Sequence, residues 1–288
     1  MTYSLISDSA SLCLMIEKWN KCERIAVDFE CEFNLHIYGE HLCLIQIYDG
    51  FGFYIIDPRS NAVSRESLIG FFLSPVKKVW FDCQSDNALV FKKYSVGIAN
   101  ICDVRVYAMA LGFKSNLISL EKELLGLDTA IDPAGKKQLQ QTDWTKRPLS
   151  DAQLEYALSD VENLFSLEDV LYSRVRKARL EKLCAQTMAE RTKPKAGRPG
   201  WTGLGDWRRM NKAERQAVKQ YYLARDAVAK RFNVPSFYVL DKHLLLKFAL
   251  SLPKTKAEVE SFVASASPRF QSQLRISMLR AFDTLHQG

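Results

Sequence analysis

Acidic residues in three separated clusters are the feature that most restricts how this chain can fold. Asp28 and Glu30 form the first cluster, Asp86 the second, and Asp160 together with Tyr156 the third. Hard cations such as Mg²⁺ and Mn²⁺ prefer oxygen ligands, and two of them about 4 Å apart can stabilise both the attacking and the leaving oxygen of a phosphodiester. The clusters therefore predict a fold that brings them together as a metal site of a nuclease.

The first cluster ends an apolar segment, residues 24–30, that is typical of a buried strand. Residues i and i+2 of a strand point to one face, so Asp28 and Glu30 project together while Phe29 points the other way. Burying two like charges is costly unless a cation neutralises them. The alternative is a strand end that reaches solvent, where an acidic pair is tolerated.

The second cluster follows a strand-like segment, residues 76–81. Ser85 and Asp86 then open a short amphipathic helix. An Asp in the first helical turn commonly caps N–H groups and complements the helix dipole, so capping is the alternative interpretation of Asp86. Asp82, at the strand end, is a competing ligand.

The third cluster lies on a predicted long helix that begins at Ser150, with Gln153 completing a capping box. Tyr156 and Asp160 are spaced i,i+4 and share one face of this helix. A phenol with a pKa near about 10 is a poor general base, but it can orient a water molecule. The alternative is a half-buried Tyr beside a solvated Asp. The apolar stripe of the helix consists of Leu154, Leu158, Val161, Leu164 and Phe165.

The order and spacing of these clusters resemble the DEDD superfamily of 3′–5′ exonucleases, in its tyrosine-containing subgroup, and specifically the ribonuclease D family. The three matching stretches are VDFECEFNLHIYGEHLCLIQIYDG, FDCQSDNALVFKKYSVGIANICDVRVYAMALG and QTDWTKRPLSDAQLEYALSDVENL. The residues that match the catalytic positions of the family are Asp28, Glu30, Asp86, Tyr156 and Asp160.

This resemblance implies an α/β fold, an RNase H-like mixed sheet flanked by helices, with two divalent cations, Mg²⁺ or Mn²⁺. Asp28 would bridge the two metals, and Glu30 and Asp160 would complete the site of the metal that activates water. Asp86 would hold the second metal, which stabilises the leaving 3′-oxygen. The expected products are nucleoside 5′-monophosphates released from a free 3′ end.

Two positions near the second motif need separate interpretation. Residues 80–82, Trp-Phe-Asp, stand where relatives often carry a His before the motif. Asp103 matches a common acidic position of the family, and we expect it to be a structural helix N-cap.

Charge is distributed unevenly along the chain. Residues 1–172 carry 16 Lys and Arg against 24 Asp and Glu, whereas residues 173–288 carry 24 against 9. An acidic half that needs cations, joined to a basic half, suits a polyanionic substrate. A basic surface that serves only solubility is the alternative.

The chain is long enough for about two domains. We expect an exonuclease domain at residues 1–188, a basic Pro/Gly linker at 189–205 and a helical domain at 206–288. In the last of these, Asn211 and Glu214 form a predicted capping box, and Asn233-Val234-Pro235 ends the helix. The segment RFNVPSFYVLDKHLLLKFALSLPKT resembles the helicase-and-RNase-D C-terminal (HRDC) domain, a small all-α bundle that binds nucleic acid.

Residues that could contact the nucleic acid are less well defined by the sequence. The predicted contacts are Phe29, Lys136, Lys137, Arg147, Arg208 and Arg209. Each basic residue has the alternative of a solvated surface charge. Trp201 and Trp207 could stack on bases or pack against the domain that they leave, and Trp144 is expected to pack beneath the third-motif helix.

Several other classes of protein are disfavoured. The seven cysteines have no zinc-site spacing and no secretory signal precedes them, so we expect free thiols in the cytoplasm. Apolar runs are too short to span a membrane. No Gly-rich phosphate loop appears, so a nucleotide cofactor is not expected. We expect a monomer.

The sequence thus predicts a metal-dependent 3′–5′ exoribonuclease whose partner is RNA with a free 3′ end, with precursor tRNAs as leading substrates by resemblance. One alternative is a 3′–5′ DNA exonuclease of repair acting on single-stranded DNA. Another is an RNA-binding module whose catalytic site has decayed, although all four acids and Tyr156 are present.

Overall fold

Two compact units make up the structure, a computed structural model that describes residues 2–127, 133–195 and 197–287. Unit 1 comprises residues 1–31 and 41–196, and unit 2 comprises residues 32–40 and 197–288. The inclusion of residues 32–40 in unit 2 is not among the expectations from the sequence.

Unit 1 is built on a mixed sheet. The strands are β1 (Tyr3–Ile6), β2 (Arg24–Phe33), β3 (Glu40–Tyr48), β4 (Phe53–Ile56), β5 (Lys77–Trp80) and β6 (Ile101–Asp103). In the described part of the chain they follow the order β1-β4-β3-β2-β5-β6. β1 is parallel to β4, β5 is parallel to both β2 and β6, and β3 is antiparallel to β4. The mixed sheet that we expected is confirmed.

Helices flank this sheet. They are α1 (Ser9–Trp19), α2 (Arg65–Leu73), α3 (Gln84–Tyr94), α4 (Val104–Ala110), α5 (Leu117–Leu125), α6 (Pro133–Gln140), α7 (Asp151–Glu162), α8 (Leu164–Lys177) and α9 (Glu181–Arg191). At the centre of the sheet, Ala26 of β2 pairs in register with Val79 of β5, and both are buried. A strand that is buried on both faces requires apolar side chains at successive positions, which explains why the segment before Asp28 does not alternate.

The helix of the third motif begins as predicted but ends earlier. Ser150 and Gln153 form both hydrogen bonds of a capping box. The expectation of one long helix that continues through Leu164 is wrong, because α7 ends at Glu162 and α8 begins at Leu164. Between them Asn163 has φ −104°, and its N–H donates to the carbonyl of Val161 instead of continuing the α-helical pattern. Asn has a low helix propensity, since its side chain competes for backbone hydrogen bonds.

Unit 2 is helical around its own core. After a short 3₁₀ helix (Gly200–Gly203), its helices are α10 (Lys212–Phe232), α11 (Ser236–Val239), α12 (Lys242–Leu250), α13 (Lys256–Val263) and α14 (Gln271–His286). The predicted capping box of Asn211 and Glu214 is confirmed, and Asn233 ends α10 in the left-handed conformation with φ 50°. Within the described residues, no helix has both the length and the apolar character needed to cross a membrane.

The segment 32–40 belongs to the core of unit 2 through Tyr38. Its ring packs against the buried apolar cluster of this unit. Its hydroxyl donates a 2.5 Å hydrogen bond to Asp226 Oδ2 on α10. Tyr38 therefore packs against α10 although it lies 188 positions before Asp226 in the chain.

Candidate active site

Strand β2 presents Asp28 and Glu30 on one face of the sheet and buries the residue between them. Phe29 is 6% exposed and packs edge-on against Trp80, with ring centroids 4.6 Å apart. It also contacts Phe72 with centroids 6.1 Å apart. This burial argues against the predicted role of Phe29 in nucleic-acid binding, because its ring lies in the core and offers no face for stacking.

Helix α7 contributes the third motif from a well-anchored position. Tyr156 is 3% exposed and lies in an apolar cluster with Trp144, whose ring centroid is 6.1 Å away. The prediction that Trp144 packs beneath this helix is confirmed. The i,i+4 spacing places Asp160 one turn further on the same face of α7.

The carboxylates of Asp28, Glu30 and Asp160 converge. Each offers one oxygen atom, and these atoms all lie within 4.8 Å of one another. Ligand oxygens bound to one Mg²⁺ or Ca²⁺ lie about 2.0–2.6 Å from the ion, and therefore at most about 5 Å from each other. Three anionic oxygens at such separations repel one another unless a cation lies between them. The donor set therefore fits a hard divalent cation.

Tyr156 is hydrogen-bonded to this acidic group. Burial, followed by the negative charges of Asp160 and Glu30, raises the pKa of Tyr156 well above its ordinary value, and a hydrogen bond to Asp160 acts in the same direction. The phenol is thus neutral at pH 7, and its hydroxyl donates a hydrogen bond to the carboxylate of Asp160. A neutral phenol beside an acidic cluster can orient a water molecule but cannot act as a strong base.

Asp86, the acidic residue of the second motif, is not part of the group formed by Asp28, Glu30 and Asp160 among the described residues. The indole Nε1 of Trp80 donates to Asp86 Oδ2 at 3.2 Å, and Cys31 Sγ lies 3.9 Å from Asp86 Oδ1. Burial raises the pKa of Asp86. The carboxylate is therefore held by neutral donors on β2 and β5, a contact that periodicity alone does not reveal.

The competing acid Asp82 forms ion pairs with two arginines. Its backbone is left-handed, with φ 61°. Its carboxylate pairs with Arg191 Nη2 at 2.6 Å and with Arg105 Nε at 3.3 Å. Asp103, as predicted, is the N-cap of α4, and its carboxylate accepts from the N–H groups of Asp82 and Arg105. The carboxylates of Asp82 and Asp103 thus both have ion-pair or hydrogen-bond partners within unit 1.

The predicted nucleic-acid contacts divide by their surroundings. Arg147 donates to both carboxylate oxygens of Asp57 and to the carbonyl of Cys43, so its guanidinium has partners within unit 1. Lys137 and Arg208 are exposed, and the side chain of Lys136 lies outside the described residues. Arg209 is exposed and pairs with Asp206 at 3.1 Å.

The two linker tryptophans pack beside helix α10. Trp201 contacts Tyr222, with ring centroids 6.1 Å apart, and the ammonium of Lys219 lies 5.4 Å from the Trp201 ring. Trp207 lies partly buried against the core of unit 2, with the Arg215 guanidinium 6.0 Å from its ring. The sequence left open stacking on bases or packing against the domain that these tryptophans leave, and the structure instead shows both rings packed against residues of unit 2.

The chain is similar to known proteins in three comparisons, with a family model, with curated sequences and with solved structures. A family model for 3′–5′ exonucleases matches residues 3–176. Ribonuclease D of Jannaschia sp. (strain CCS1) is 29% identical over 236 residues, which cover 77% of this chain and 58% of that protein. Exosome complex component 10 of Homo sapiens is 27% identical over 288 residues, covering 91% of this chain and 30% of that protein. The chain thus spans a little over half the length of the first ribonuclease D relatives.

The fold has a counterpart among solved structures. The crystal structure of Escherichia coli RNase D covers 100% of this chain, and 75% of its own chain is matched, with a TM-score of 0.76 at 20% identity. The expected α/β fold is therefore confirmed, and the relatives confirm the resemblance to ribonuclease D. Because the family match extends over more than half of the chain and contains the four acids and Tyr156, this chain belongs to the 3′–5′ exonuclease family.

Proposed function

We propose that the protein is a metal-dependent 3′–5′ exoribonuclease that hydrolyses the terminal phosphodiester of RNA and releases nucleoside 5′-monophosphates. The observation that carries this proposal is the convergence of Asp28, Glu30 and Asp160 beside the neutral phenol of Tyr156. Phosphodiester hydrolysis requires stabilisation of negative charge at the attacking and leaving oxygens, and an oxygen-rich cation site is suited to that task.

The proposed metal ligands divide into two groups. Asp28, Glu30 and Asp160 would hold one divalent cation, and Asp86, together with Asp28, would hold a second. Bound Mg²⁺ or Mn²⁺ would supply a lowered pKa for water and charge stabilisation for the leaving oxygen. The half-buried Asp86 approaches from α3, where Trp80 and Cys31 limit its motion.

Tyr156 would position the attacking water. Its hydroxyl is held by Asp160, and its raised pKa keeps it protonated at neutral pH. A phenol in this state accepts or donates a hydrogen bond without taking the proton of water. Its contribution would therefore be orientation, which affects the rate of the chemical step more than substrate binding.

RNA is the proposed polymer, with structured RNAs such as precursor tRNAs as substrates. Two relatives named ribonuclease D support this choice, and the Escherichia coli structure is described as an exoribonuclease involved in structured RNA processing. Residues 197–288 carry 16 Lys and Arg against 7 Asp and Glu, so this part of unit 2 is suited to attract phosphates. We propose that unit 2 acts as an HRDC-like RNA-binding domain in which Arg208 and Arg209 contact the backbone.

A labelled-strand assay tests the proposal. The protein would be incubated with 5′-labelled single-stranded RNA or the DNA of the same sequence, in Mg²⁺, Mn²⁺ or EDTA. We expect a ladder that shortens from the 3′ end, faster on RNA, absent in EDTA and absent with Asp28→Asn. Asp169→Asn is the matched control, because Asp169 pairs with Arg24 away from the acidic group.

The outcomes separate the alternatives. A faster ladder on DNA would replace the proposal by a DNA exonuclease, since only contacts to the 2′-hydroxyl distinguish the two sugars. No ladder on either strand, with RNA still bound, would identify an RNA-binding module. An active Asp28→Asn variant would mean that the metal site lies elsewhere.

A further inference from the structure

The second motif of unit 1 is joined by a buried side chain to the segment that follows α9. Asn87, which is 1% exposed, directly follows Asp86 in α3. Its Nδ2 donates to the carbonyl of Thr192 at 2.6 Å, and its Oδ1 accepts from the N–H of Ile98 at 3.0 Å. One amide therefore connects the first turn of α3 to two segments of the chain. We call residues 191–194 the clasp.

An ion pair joins the clasp to the loop on the other side of Asp86. Arg191 Nη2 contacts Asp82 Oδ1 at 2.6 Å, and its Nε lies 3.5 Å from Oδ2 of Asp103, which is fully buried. Asp82 precedes Asp86 by four residues and Asn87 follows it by one. Arg191 and Thr192 are thus connected to both sides of the turn that carries Asp86.

A close backbone approach forms the third contact. A Cβ atom placed on Gly97 would lie 2.3 Å from Cγ of Pro194, far inside van der Waals contact. Glycine is therefore required here because the ring of Pro194 occupies the space that a side chain would fill. This packing fixes the clasp against the loop that follows α3.

Helix α3 depends on such contacts because its own N-terminus is weakly capped. In the described chain, its N-cap residue Cys83 makes no side-chain capping hydrogen bond, whereas α7 begins with a complete capping box. An uncapped first turn frays easily, since its N–H groups lack partners. Trp80 restrains the carboxylate of Asp86, but it does not restrain the backbone of the turn.

We propose that the clasp is a positioning element for Asp86, with Asn87 as its central positioning residue. The inference rests on the proposed function, because it assumes that Asp86 holds a metal. The clasp fixes the backbone on both sides of Asp86. The turn that carries this carboxylate therefore loses little conformational entropy when the cation binds. Loss of the clasp lowers metal affinity while the acidic group of Asp28, Glu30 and Asp160 remains intact.

Gly97→Ala with a compensating change is the first test. The added methyl group displaces Pro194, and Pro194→Ala removes the Cγ atom with which it collides. The Cβ of residue 194 lies 3.5 Å from the built Cβ of residue 97, which is an ordinary contact. We expect Gly97→Ala to weaken the lower-affinity Mn²⁺ binding, measured calorimetrically on the full chain without substrate, by about tenfold. The double variant should bind Mn²⁺ more tightly than Gly97→Ala, because the collision with the Cγ atom is gone.

Asn87→Leu is the second test, because it removes the amide and keeps the side-chain size. We expect a similar loss of Mn²⁺ affinity and a matching rise in the Mn²⁺ concentration needed for half-maximal hydrolysis. Cys184→Ala is the control for general destabilisation, since Cys184 of α9 is buried in a separate apolar cluster. It should lower the thermal midpoint and leave Mn²⁺ affinity unchanged.

Each result has a definite meaning. Unchanged Mn²⁺ affinity in both Gly97→Ala and Asn87→Leu would overturn the clasp while leaving the proposed function intact. An equal loss in Cys184→Ala, or no rescue by Pro194→Ala, would reduce the effect to general instability and also overturn it. A wild-type protein that binds no Mn²⁺ would instead overturn the metal site itself.

Discussion

At the scale of single residues, Tyr156 shows how burial decides what a side chain can do. Its raised pKa and its hydrogen bond to Asp160 exclude it as a base at neutral pH and leave it the task of orientation. The same buried position would be unremarkable for a packing residue. The two roles differ in what the hydroxyl contributes.

We expect Tyr156→Phe to lower kcat about a hundredfold and to change KM little, because misplacing a reacting group by about 1 Å can cost about 10²-fold in rate. Single-turnover kinetics on labelled RNA measures this. Tyr221→Phe is the matched control, since the buried hydroxyl of Tyr221 has no hydrogen-bond partner among the described residues. An unchanged kcat in Tyr156→Phe would make Tyr156 a packing residue.

Asp82 and Asp86 are four residues apart and should respond differently to removal of charge. Asp86→Asn is expected to abolish turnover, because a neutral amide is a poor ligand for a hard cation. Asp82→Asn should retain most of it, since Asp82 is partly exposed and pairs with Arg191 and Arg105. Turnover numbers in saturating Mn²⁺ compare the two variants. A more damaged Asp82→Asn would exchange their roles.

At the scale of elements, α7 carries two site residues and depends on its N-terminus. Ser150→Ala removes half of the capping box and should lower the free energy of unfolding by about 1 kcal/mol. Urea denaturation of the full chain followed by circular dichroism measures this. Ser173→Ala, an exposed change in the middle of α8, should stay within about 0.5 kcal/mol of the wild type. Equal effects of the two changes would show that the cap is not needed.

The second residue of strand β5 is a buried lysine. The Nζ of Lys78, which is fully buried, donates to the carbonyls of Ser74, Val76 and Ala99. Burial lowers the pKa of Lys78 to about 7. The pKa of a lysine in the unfolded chain is about 10.4. Between pH 7 and 10 the unfolded state therefore binds one more proton than the folded state. The unfolding free energy must then rise with pH in this window.

Lys78→Met removes that titration. We expect the wild type to gain stability relative to Lys78→Met by about 1 kcal/mol per pH unit between pH 7.5 and 9.5, and to show little relative change below about pH 5.5, where Lys78 is protonated in both states. Guanidinium denaturation at several pH values measures the difference. Parallel curves across this range would mean that Lys78 keeps its ordinary pKa in the folded state.

Local periodicity predicted some of these features and missed others for a physical reason. The two-residue period of a strand placed Asp28 with Glu30, and the i,i+4 spacing of a helix placed Tyr156 with Asp160. The bond between Asn87 and Thr192 joins residues 105 positions apart, so no local pattern reports it. Arg147 was predicted as a phosphate contact from its charge, which gives no information about its internal partner Asp57.

At the scale of the whole molecule, the two units differ in net charge. Arg208→Glu with Lys212→Glu should raise KM for RNA and flatten its dependence on salt, because each lost phosphate contact removes about 0.7 from the slope of log K against log salt for a single strand. Lys21→Glu with Lys114→Glu changes the net charge equally on exposed positions of unit 1. Equal slopes in both double variants would remove the special role of unit 2.

The packing of Tyr38 in unit 2 also has a consequence for biosynthesis. A ribosome makes the chain from its N-terminus, so Tyr38 leaves the exit tunnel long before Asp226, its hydrogen-bonding partner, has been translated. During that interval its ring lacks the core that covers it in the finished protein. Unit 2 can reach its final packing only after its helices have been translated, and until then a chaperone would find an exposed aromatic side chain just beyond the first acidic motif.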